Sequence, residues 1–396
     1  DLQAAFDAGI RSCAIVLMHG YRFTDHERTA ADIAREIGFT QVSVSHRVSP
    51  LMRLVGRGDT TVVDAYLSPI LRRYVDQVAA QTGDARLMFM KSDGGLTDAR
   101  RFEGKDAILS GPAGGIVACA GTGLSAGFDK VIGFDMGGTS TDVCHFAGEF
   151  ERSFETEVAG VRMRVPMMNI HTVAAGGGSI LTFAHGRFQV GPQSAGANPG
   201  PAAYRRGGPL TVTDCNIQLG KLQPELFPKV FGPGGDQGLD ADIVNTKFQA
   251  LAAKVRDQLG WDMTPMEVAQ GFLKVAIENM ASACKRISVQ RGYDVTSYAL
   301  NCFGGAGGQH ACLVADALGM SRVLVHPYAG VLSAYGMGLA DVTTLKDRSF
   351  EEALNDAAVA RIDELLTQMT ADGTDELLAQ GIPTARISAR HQVRVK

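Results

Sequence analysis

Near the middle of the chain, two aspartates flank a run of glycines and hydroxyl residues that could bind the phosphates of a nucleotide. The run follows an apolar stretch and comprises Asp135, Gly137, Gly138, Thr139, Ser140, Thr141 and Asp142. A tight turn through the paired glycines would direct successive backbone N–H groups at one anion. Two carboxylates beside a phosphate favour a divalent cation between them, and Mg²⁺ is the expected metal. The alternative interpretation is a simple β-turn with surface hydroxyls.

A second glycine-rich segment follows another apolar strand, at 298–303, and precedes a predicted helix. It comprises Gly304, Gly305, Ala306, Gly307, Gly308 and Gln309. The order strand, glycine-rich loop and helix lets a nucleotide lie against the backbone. The segment lacks G-x-x-x-x-G-K-[ST], which excludes a P-loop, and it has no clean G-x-G-x-x-G, which makes a dinucleotide-binding fold a weak interpretation.

Three further polar residues are candidates for chemistry near these loops. Asp93 precedes two glycines at the end of a short apolar strand, where α/β proteins gather their ligands, although a β-turn accounts for it equally well. His171 comes shortly before three consecutive glycines at 176–178, which could form another ligand loop or a flexible cap. His310 ends the second glycine-rich segment. For both histidines a structural role is the alternative.

Helices and strands alternate along the chain and predict an α/β fold with a mostly parallel sheet. Helices are expected at 27–37, 62–81, 240–259, 264–291 and 350–380, and strands at 13–18, 41–45, 87–90, 131–135, 298–303, 323–325 and 385–396. Pro69 is expected to break or kink the second of these helices. Two helices rich in small residues, at 113–121 and 328–340, could pack closely on each other at a domain junction. The Gly- and Pro-rich segment 190–209 is expected to be a long functional loop.

The composition is that of an ordinary globular protein and excludes several classes. The 396 residues suggest two or three domains, with 45% hydrophobic and 20% charged residues. A net charge of −4 with scattered basic residues does not suggest a nucleic-acid partner. The uncharged stretch within 107–128 is too rich in glycine for a membrane span, so a buried helix is expected. Seven cysteines without a C-x-x-C pair favour free thiols in a reducing cytosol, and we expect a cytoplasmic protein.

The order of these motifs resembles the second half of the actin-like ATPase superfamily, and more closely the hydantoinase A/oxoprolinase family. The resemblance rests on SDGGL at 92–96, LSGPAGG at 109–115, the aspartate hairpin at 134–143, TVAAGGGS at 172–179, GPQSAGANPGP at 191–201 and CFGGAGGQH at 302–310. The segment FPKVFGPG at 227–234 is more similar to 5-oxoprolinases than to hydantoin-cleaving relatives. So many long motifs in the same order cover nearly the whole chain.

The resemblance implies an α/β, actin-like ATPase (ribonuclease H-like) fold with a partial first lobe and a complete second lobe that carries a large insertion. The expected domains are the remainder of the first lobe at 1–110, the second lobe at 111–345 with an insertion at about 151–262, and the start of a following segment at 346–396. Family members begin with their own phosphate hairpin and continue into a second large region. We therefore expect this chain to be an internal fragment.

The resemblance also implies an activity, in which 5-oxo-L-proline, ATP and water give L-glutamate, ADP and phosphate through a phosphorylated lactam. Gly137 to Thr141 would hold the phosphates of ATP, Asp135 and Asp142 would hold Mg²⁺, and Gly304 to Gln309 would hold the adenosine. Asp135, Asp142, Asp93 and His171 are the catalytic candidates. The alternatives are a hydantoinase or ketone carboxylase subunit of the same family, or a non-enzymatic nucleotide switch.

The partners follow from the same resemblance. We expect a small lactam substrate, the missing N-terminal hairpin region, and a hydantoinase B-like region that is either fused or a separate subunit. The complete protein is expected to be a homo-oligomer without nucleic-acid or membrane partners.

Overall fold

The computed structural model describes residues 1–395, and helices and strands alternate through it as predicted. The helices are α1 (Leu2–Asp7), α2 (Asp25–Ile37), α3 (Ser45–Val48), α4 (Leu54–Thr82), α5 (Ser110–Ser125), α6 (Val212–Gln218), α7 (Ala241–Leu259), α8 (Pro265–Ile287), α9 (Ala311–Leu318), α10 (Leu332–Leu339) and α11 (Asp356–Leu378). The strands are β1 (Ser12–Ile15), β2 (Gln41–Val44), β3 (Met88–Met90), β4 (Leu96–Asp98), β5 (Lys130–Met136), β6 (Thr141–Ala147), β7 (Arg152–Ser153), β8 (Thr156–Val158), β9 (Val161–Met163), β10 (Met167–Met168), β11 (His171–Val173), β12 (Ser179–Ala184), β13 (Arg187–Ser194), β14 (Ala299–Phe303) and β15 (Val323–Val325).

The chain folds into two compact units. The first contains Asp1–Gly114, Arg152–Met168 and the chain from Met337 onwards, and the second contains Gly115–Glu151 and Asn169–Gly336. Both divisions fall inside the small-residue helices α5 and α10, close to the predicted boundaries at 110 and 345. The division differs from the prediction for 152–168, which was expected in the insertion, and for the C-terminal segment, which was expected to be separate.

Hydrogen bonds explain why residues 152–168 belong to the first unit. The Met168 N–H donates to the Ser92 carbonyl over 2.7 Å, and the Arg164 N–H donates to the Thr60 hydroxyl over 2.9 Å. Backbone polar groups need such partners once they are buried, and this segment finds them in the first unit. Hydrophobic periodicity along the sequence could not reveal these pairings.

The second unit is built on a five-stranded mixed sheet in the order β11-β6-β5-β14-β15. The β11–β6 and β6–β5 pairs are antiparallel, whereas β5–β14 and β14–β15 are parallel. This arrangement, a hairpin extended by parallel strands, is the ribonuclease H-like sheet and confirms the expected fold class. Ile132, Phe134 and Val143 are fully buried in its core together with Phe272 and Met280 of α8.

Helix α8 begins where the sequence predicts. Thr264 is the N-cap, Pro265 is the first helical residue, and the Thr264 hydroxyl accepts from the Glu267 N–H over 3.2 Å while Glu267 accepts from the Thr264 N–H. This reciprocal capping satisfies two N–H groups that a helix start leaves without partners. The cap fixes where the apolar face of α8 begins.

In the first unit β1 and β2 form a parallel pair, and α4 runs without interruption through Pro69. Of the break or kink predicted at Pro69, the break does not occur. Proline cannot donate to the carbonyl four residues earlier, which is that of Ala65. That carbonyl instead accepts a hydrogen bond from the Ser12 hydroxyl of β1. A contact from a distant strand therefore replaces the missing helical bond.

The strand predicted at 385–396 is not formed within the described residues. A short 3₁₀ turn at Thr384–Arg386 is followed by irregular backbone to residue 395. The helix predicted at 350–380 does form, as α11. None of the helices in the described residues is both long and apolar enough to cross a bilayer.

A partly buried polar network lies at the end of β6 that is farther from the aspartate hairpin. His145 Nδ1 lies 2.9 Å from Glu151 Oε1, and His145 Nε2 lies 3.0 Å from the Tyr298 hydroxyl. Arg291 and Asn169 also donate to Glu151. Burial alone would raise the pKa of Glu151, but the hydrogen bonds from His145, Arg291 and Asn169 lower it to about 2. The ionised carboxylate therefore stabilises this end of the sheet.

We expect Glu151→Gln to lower the free energy of unfolding at pH 7 by about 1–3 kcal/mol, the usual cost of disrupting hydrogen bonds to a charged group. The pKa of Glu151 is depressed from 4.5 to about 2, so its contribution is complete above pH 4.5 and is lost as the pH falls towards 2. Denaturant unfolding of both proteins should show the difference shrinking in that range. A difference that stays constant from pH 7 to pH 2.5 would contradict the role given to the charge.

Candidate nucleotide-binding site

The aspartate hairpin is formed by β5, β6 and a four-residue turn at 137–140. The turn is closed by a 3.0 Å hydrogen bond from the Gly137 N–H to the Ser140 carbonyl. Asp135 and Asp142 stand directly opposite each other in the antiparallel register. Directly opposite residues of an antiparallel pair extend from the same face of the sheet. The two predicted metal-binding carboxylates are therefore neighbours.

The two carboxylates have different surroundings. Burial, and then the charge of Asp142, raise the pKa of Asp135 to about 6. Asp142 accepts a 2.6 Å hydrogen bond from the Thr172 hydroxyl of β11. The electrostatic conflict between the carboxylates would be relieved by a cation. Within the described residues no three His, Cys, Asp or Glu side chains are grouped as a complete metal cage. Two carboxylates fit Mg²⁺, which usually keeps several waters and binds substrate phosphates.

The turn between the aspartates contains backbone N–H groups that have no acceptor within the described residues. Within residues 1–395, no acceptor lies within hydrogen-bonding distance of the N–H groups of Gly138, Thr139 or Ser140. Gly138 and Thr139 are exposed. Three consecutive free donors suit an anion such as a phosphate. By contrast, Thr141 is fully buried and its hydroxyl donates to the Ala175 carbonyl, so this predicted phosphate ligand has a structural contact instead.

The triple-glycine loop at 176–178 packs against the back of the hairpin. The Gly177 and Gly178 N–H groups donate to the carbonyls of Gly137 and Gly138 over 3.1 and 2.6 Å. A Cβ on Gly176 would lie 2.7 Å from the backbone of the turn at Ser140. Real Cβ atoms do not come so close, so the absence of side chains here permits backbone packing. The sequence left two interpretations of this loop open, a ligand loop or a flexible cap. In the structure the loop instead packs on the hairpin and supports it.

The second glycine-rich segment begins against Asp135. Gly304 has a φ of 82°, and a Cβ there would lie 2.4 Å from Asp135 Oδ1. The Ala306 N–H donates to the Met136 carbonyl over 2.9 Å. These contacts bring both predicted nucleotide loops together. A Cβ on Gly305 or Gly308 would meet no atom within 4 Å, so this side of the loop is open to a ligand.

Gln309 and His310 at the end of this loop contact a residue that the motifs did not indicate. Asn216 of α6 lies 2.6 Å from Gln309 Oε1 and 3.1 Å from His310 Nε2. Gln309 is half-buried, whereas His310 is only 1% exposed. Burial, followed by the charge of Lys221, lowers the pKa of His310 to about 4 and keeps the ring neutral. The capping spacing of Thr211 and Asp214, which begins α6, was the available sequence signal.

His171 does not meet the hairpin carboxylates. The register pairs His171 with Val143 and Thr172 with Asp142. Side chains alternate between the two faces of a strand, so His171 extends from the face opposite Asp142. Burial and the charge of Arg286 in α8 lower its pKa. The register therefore separates His171 from the hairpin carboxylates, and a catalytic role for it stays a prediction.

Asp93 lies in the first unit. Lys91 Nζ lies 2.7 Å from Asp93 Oδ2, and the Gly95 N–H donates to Asp93 Oδ1 over 2.8 Å. The ion pair lies beside a cavity of about 870 Å³ in the first unit, with lining residues from β2, the segment 91–106 and the chain around 343–348. Asp93 closes the predicted β-turn and also lines the cavity, and its role in a site stays a prediction.

Comparison with known proteins places the chain in a family. Residues 57–346 match the family model described as Hydantoinase/oxoprolinase, and residues 1–38 match the Hydantoinase/oxoprolinase N-terminal region. The chain is 49% identical to 5-oxoprolinase of Saccharomyces cerevisiae over 350 residues, covering 86% of this chain and 27% of that protein. It is 42% identical to 5-oxoprolinase 1 of Arabidopsis thaliana over 406 residues, covering 100% of this chain and 32% of that protein.

A solved structure is similar throughout the chain. The ATP-dependent caprolactamase from Pseudomonas jessenii matches with a TM-score of 0.81 and 32% identity, covering 95% of this chain and 55% of that one. The chain thus spans about a third of the two curated 5-oxoprolinases and about half of the solved relative. Because the family model matches residues 57–346, which are most of the chain, the chain belongs to the hydantoinase/oxoprolinase family.

Proposed function

We propose that the protein containing this chain hydrolyses a lactam at the expense of ATP, with 5-oxo-L-proline as substrate and L-glutamate, ADP and phosphate as products. One observation supports the part of this proposal that concerns ATP binding. Asp135 and Asp142 face each other beside three backbone N–H groups that have no acceptor within residues 1–395. The choice of lactam is supported by the identities of 49% and 42% to proteins named 5-oxoprolinases.

Activation of the lactam by phosphorylation accounts for the need for ATP. A lactam resists water because its nitrogen lone pair is delocalised into the carbonyl. Transfer of the γ-phosphoryl group to the carbonyl oxygen forms an O–P bond, releases ADP and leaves an electrophilic imidate carbon. Water adds to that carbon, the ring C–N bond breaks as the nitrogen takes a proton, and an acyl phosphate remains. A second water cleaves the acyl phosphate to glutamate and phosphate.

The chain's own residues would bind and orient the nucleotide for this transfer. The N–H groups of Gly138, Thr139 and Ser140 would donate to phosphate oxygens, and the open side of Gly305 would accommodate the nucleoside. Asp135 and Asp142 would hold Mg²⁺. When bound, the ion neutralises charge on the β- and γ-phosphate oxygens. Positioning and electrostatic stabilisation supply most of the catalysis in phosphoryl transfer, so these fixed donors are the main contribution of this unit.

The mechanism assigns no step to two other predicted catalytic residues, Asp93 and His171. Asp93 is given no step in this mechanism, because its carboxylate already accepts from Lys91 and from the Gly95 N–H within the first unit. His171 is left out of the mechanism, because it extends from the opposite face of the sheet.

The experiment is to measure ADP, phosphate and glutamate produced by the full-length protein with MgATP and 5-oxoproline, hydantoin or acetone. We expect glutamate and ADP to form in equal amounts with 5-oxoproline, at the ordinary enzyme rate of about 1–10³ s⁻¹. ATP turnover that none of the three compounds stimulates would favour a nucleotide switch. Stimulation by hydantoin or acetone alone would assign another substrate.

Residues 1–396 in isolation are expected to bind nucleotide without lactam-stimulated turnover. The chain covers only 27% and 32% of two 5-oxoprolinases that it matches, so other parts of such a protein are expected to complete the site. A misplacement of about 1 Å can already cost roughly a hundredfold in rate. Turnover by the isolated chain that equals the full-length rate would show that the site is complete within these residues.

A further inference from the structure

Helix α6 connects the two loops of the candidate nucleotide site. At its first turn, the Thr213 N–H and hydroxyl both donate to the Gly177 carbonyl, over 2.8 and 2.9 Å. Gly177 in turn donates to Gly137 in the hairpin. One turn further along the helix, Asn216 contacts Gln309 at the end of the other loop. Helix α6 therefore contacts both loops, in addition to the direct pairing of their strands β5 and β14.

The start of α6 is fixed by a buried carboxylate. Asp214 is fully buried and accepts hydrogen bonds from the Thr211 N–H and hydroxyl over 2.7 and 2.9 Å. It also accepts from the N–H groups of Ala202 and Ala203. A carboxylate with this many donors holds one orientation, because each bond restricts it further. The position of Asn216, two residues later on the helix, is accordingly well defined.

The side-chain amide nitrogen of Asn216 donates two hydrogen bonds to the second glycine-rich loop. Its Nδ2 donates to Gln309 Oε1 over 2.6 Å and to His310 Nε2 over 3.1 Å. His310 can accept this bond because its ring is neutral. Because Asn216 holds the side-chain oxygen of Gln309, the side-chain nitrogen Nε2 of Gln309 is left for another partner. No acceptor lies within hydrogen-bonding distance of that nitrogen in the part of the chain that the structure describes.

Two buried polar atoms of this cluster lack partners, which destabilises the folded protein. Asn216 is 1% exposed, and neither its Oδ1 nor His310 Nδ1 has a hydrogen-bonding partner within residues 1–395. A buried polar atom without a hydrogen-bonding partner destabilises the folded state. Apolar side chains of similar size would avoid that cost, so stability alone does not account for this cluster. A cost of this kind is expected where a binding site needs the geometry.

We propose that Asn216 is a positioning residue for the nucleoside part of ATP. It holds the Gln309 carboxamide so that Gln309 Nε2 donates to an acceptor on the nucleoside, which is either a ring nitrogen of the base or a ribose oxygen. The inference rests on the proposed function, because it assumes that the hairpin holds the phosphates. The triphosphate itself does not need Asn216, so the two halves of the ligand respond differently to its loss.

The test compares two ligands by calorimetry on the full-length protein, MgATP and magnesium tripolyphosphate. Asn216→Ala is expected to weaken ATP binding about tenfold, which equals 1.4 kcal/mol, while leaving the affinity for tripolyphosphate unchanged. Gln218→Ala is the matched control, because Gln218 is an amide on the same helix that contacts Asn245. It should alter neither affinity. If 2′-deoxy-ATP binds the wild type as weakly as ATP binds Asn216→Ala, the acceptor is the ribose hydroxyl, and otherwise it is another nucleoside atom.

A second variant keeps the proposal testable if Asn216→Ala does not fold. Gln309→Ala alters a half-buried side chain and should reproduce the same selective loss, and the double variant should lose no more than either single one. Equal weakening of both ligands would give Asn216 a structural role only, and unchanged ATP affinity in both variants would overturn the proposal. Failure of the wild type to bind ATP or tripolyphosphate would instead refute the proposed function.

Discussion

Replacing Asp135 by asparagine is expected to abolish most Mg²⁺-dependent nucleotide binding while sparing the binding of adenosine. Asparagine keeps the shape of the side chain but removes the charge that a divalent cation requires. Loss of a group that merely supports a metal ligand already costs about 10–100-fold in affinity, so we expect a loss of at least about 100-fold for MgATP. Calorimetry with MgATP and with adenosine measures the two effects separately. Equal losses for both ligands would contradict the metal-binding role.

The raised pKa of Asp135 predicts two effects of pH, one on MgATP binding by the wild type and one on the stability difference between the wild type and Asp135→Asn. Because the pKa is about 6 in the folded protein and 3.8 without the shift, wild-type MgATP binding should weaken as the pH falls below 6. The same shift means that the folded protein loses stability as the pH rises from 3.8 through 6, where the buried carboxyl must ionise. The ligand-free Asp135→Asn protein should therefore melt at a higher temperature than the wild type at pH 7.5, and at a similar temperature near pH 4. Identical melting curves at both pH values would show that burial does not oppose this charge.

Replacing Gly305 by valine is expected to block ATP binding without harming the fold. A Cβ on Gly305 would meet no protein atom within 4 Å, and its backbone does not have a positive φ. The added side chain would therefore project into the space proposed for the nucleoside. We expect the melting temperature to stay unchanged and the ATP affinity to fall by at least about tenfold, a loss of 1.4 kcal/mol. Calorimetry and thermal unfolding of the same preparation measure both quantities.

Two other glycines serve as controls for this experiment. A Cβ on Gly238 also meets no atom within 4 Å, so Gly238→Val should change neither stability nor affinity. Gly304→Val should destabilise the protein, because its Cβ would lie 2.4 Å from Asp135 Oδ1 on backbone with a φ of 82°. If Gly305→Val binds ATP as tightly as the wild type, the nucleoside does not occupy this side of the loop.

Local chemistry at a few positions made much of the site predictable. The aspartate hairpin could be identified because its apolar strands, paired glycines and hydroxyls lie within one short stretch, and such a stretch forms a hairpin from its own residues. The cap of α8 at Thr264 and Glu267 was predictable for the same reason, since both partners lie within one helical turn.

Interactions between distant segments could not be predicted. The sequence around Pro69 favours a helix break, but the Ser12 hydroxyl supplies the bond that keeps α4 continuous. The three glycines at 176–178 resemble a ligand loop, but their missing side chains let them pack on the hairpin backbone. The face on which His171 lies depends on its register with Val143, which no property of β11 alone specifies.

By itself, the sequence determined the family of this protein, the α/β fold, and the two glycine-rich loops with their aspartates, because each depends on residues close together in the chain. Only the tertiary structure decided which residues meet at the site. Asn216 contacts Gln309 because α6 is held in place by Asp214 and by Gly177, and these contacts join residues far apart in the chain. Hydrogen bonds between distant segments form only when the whole chain has packed, so short sequence motifs do not predict them.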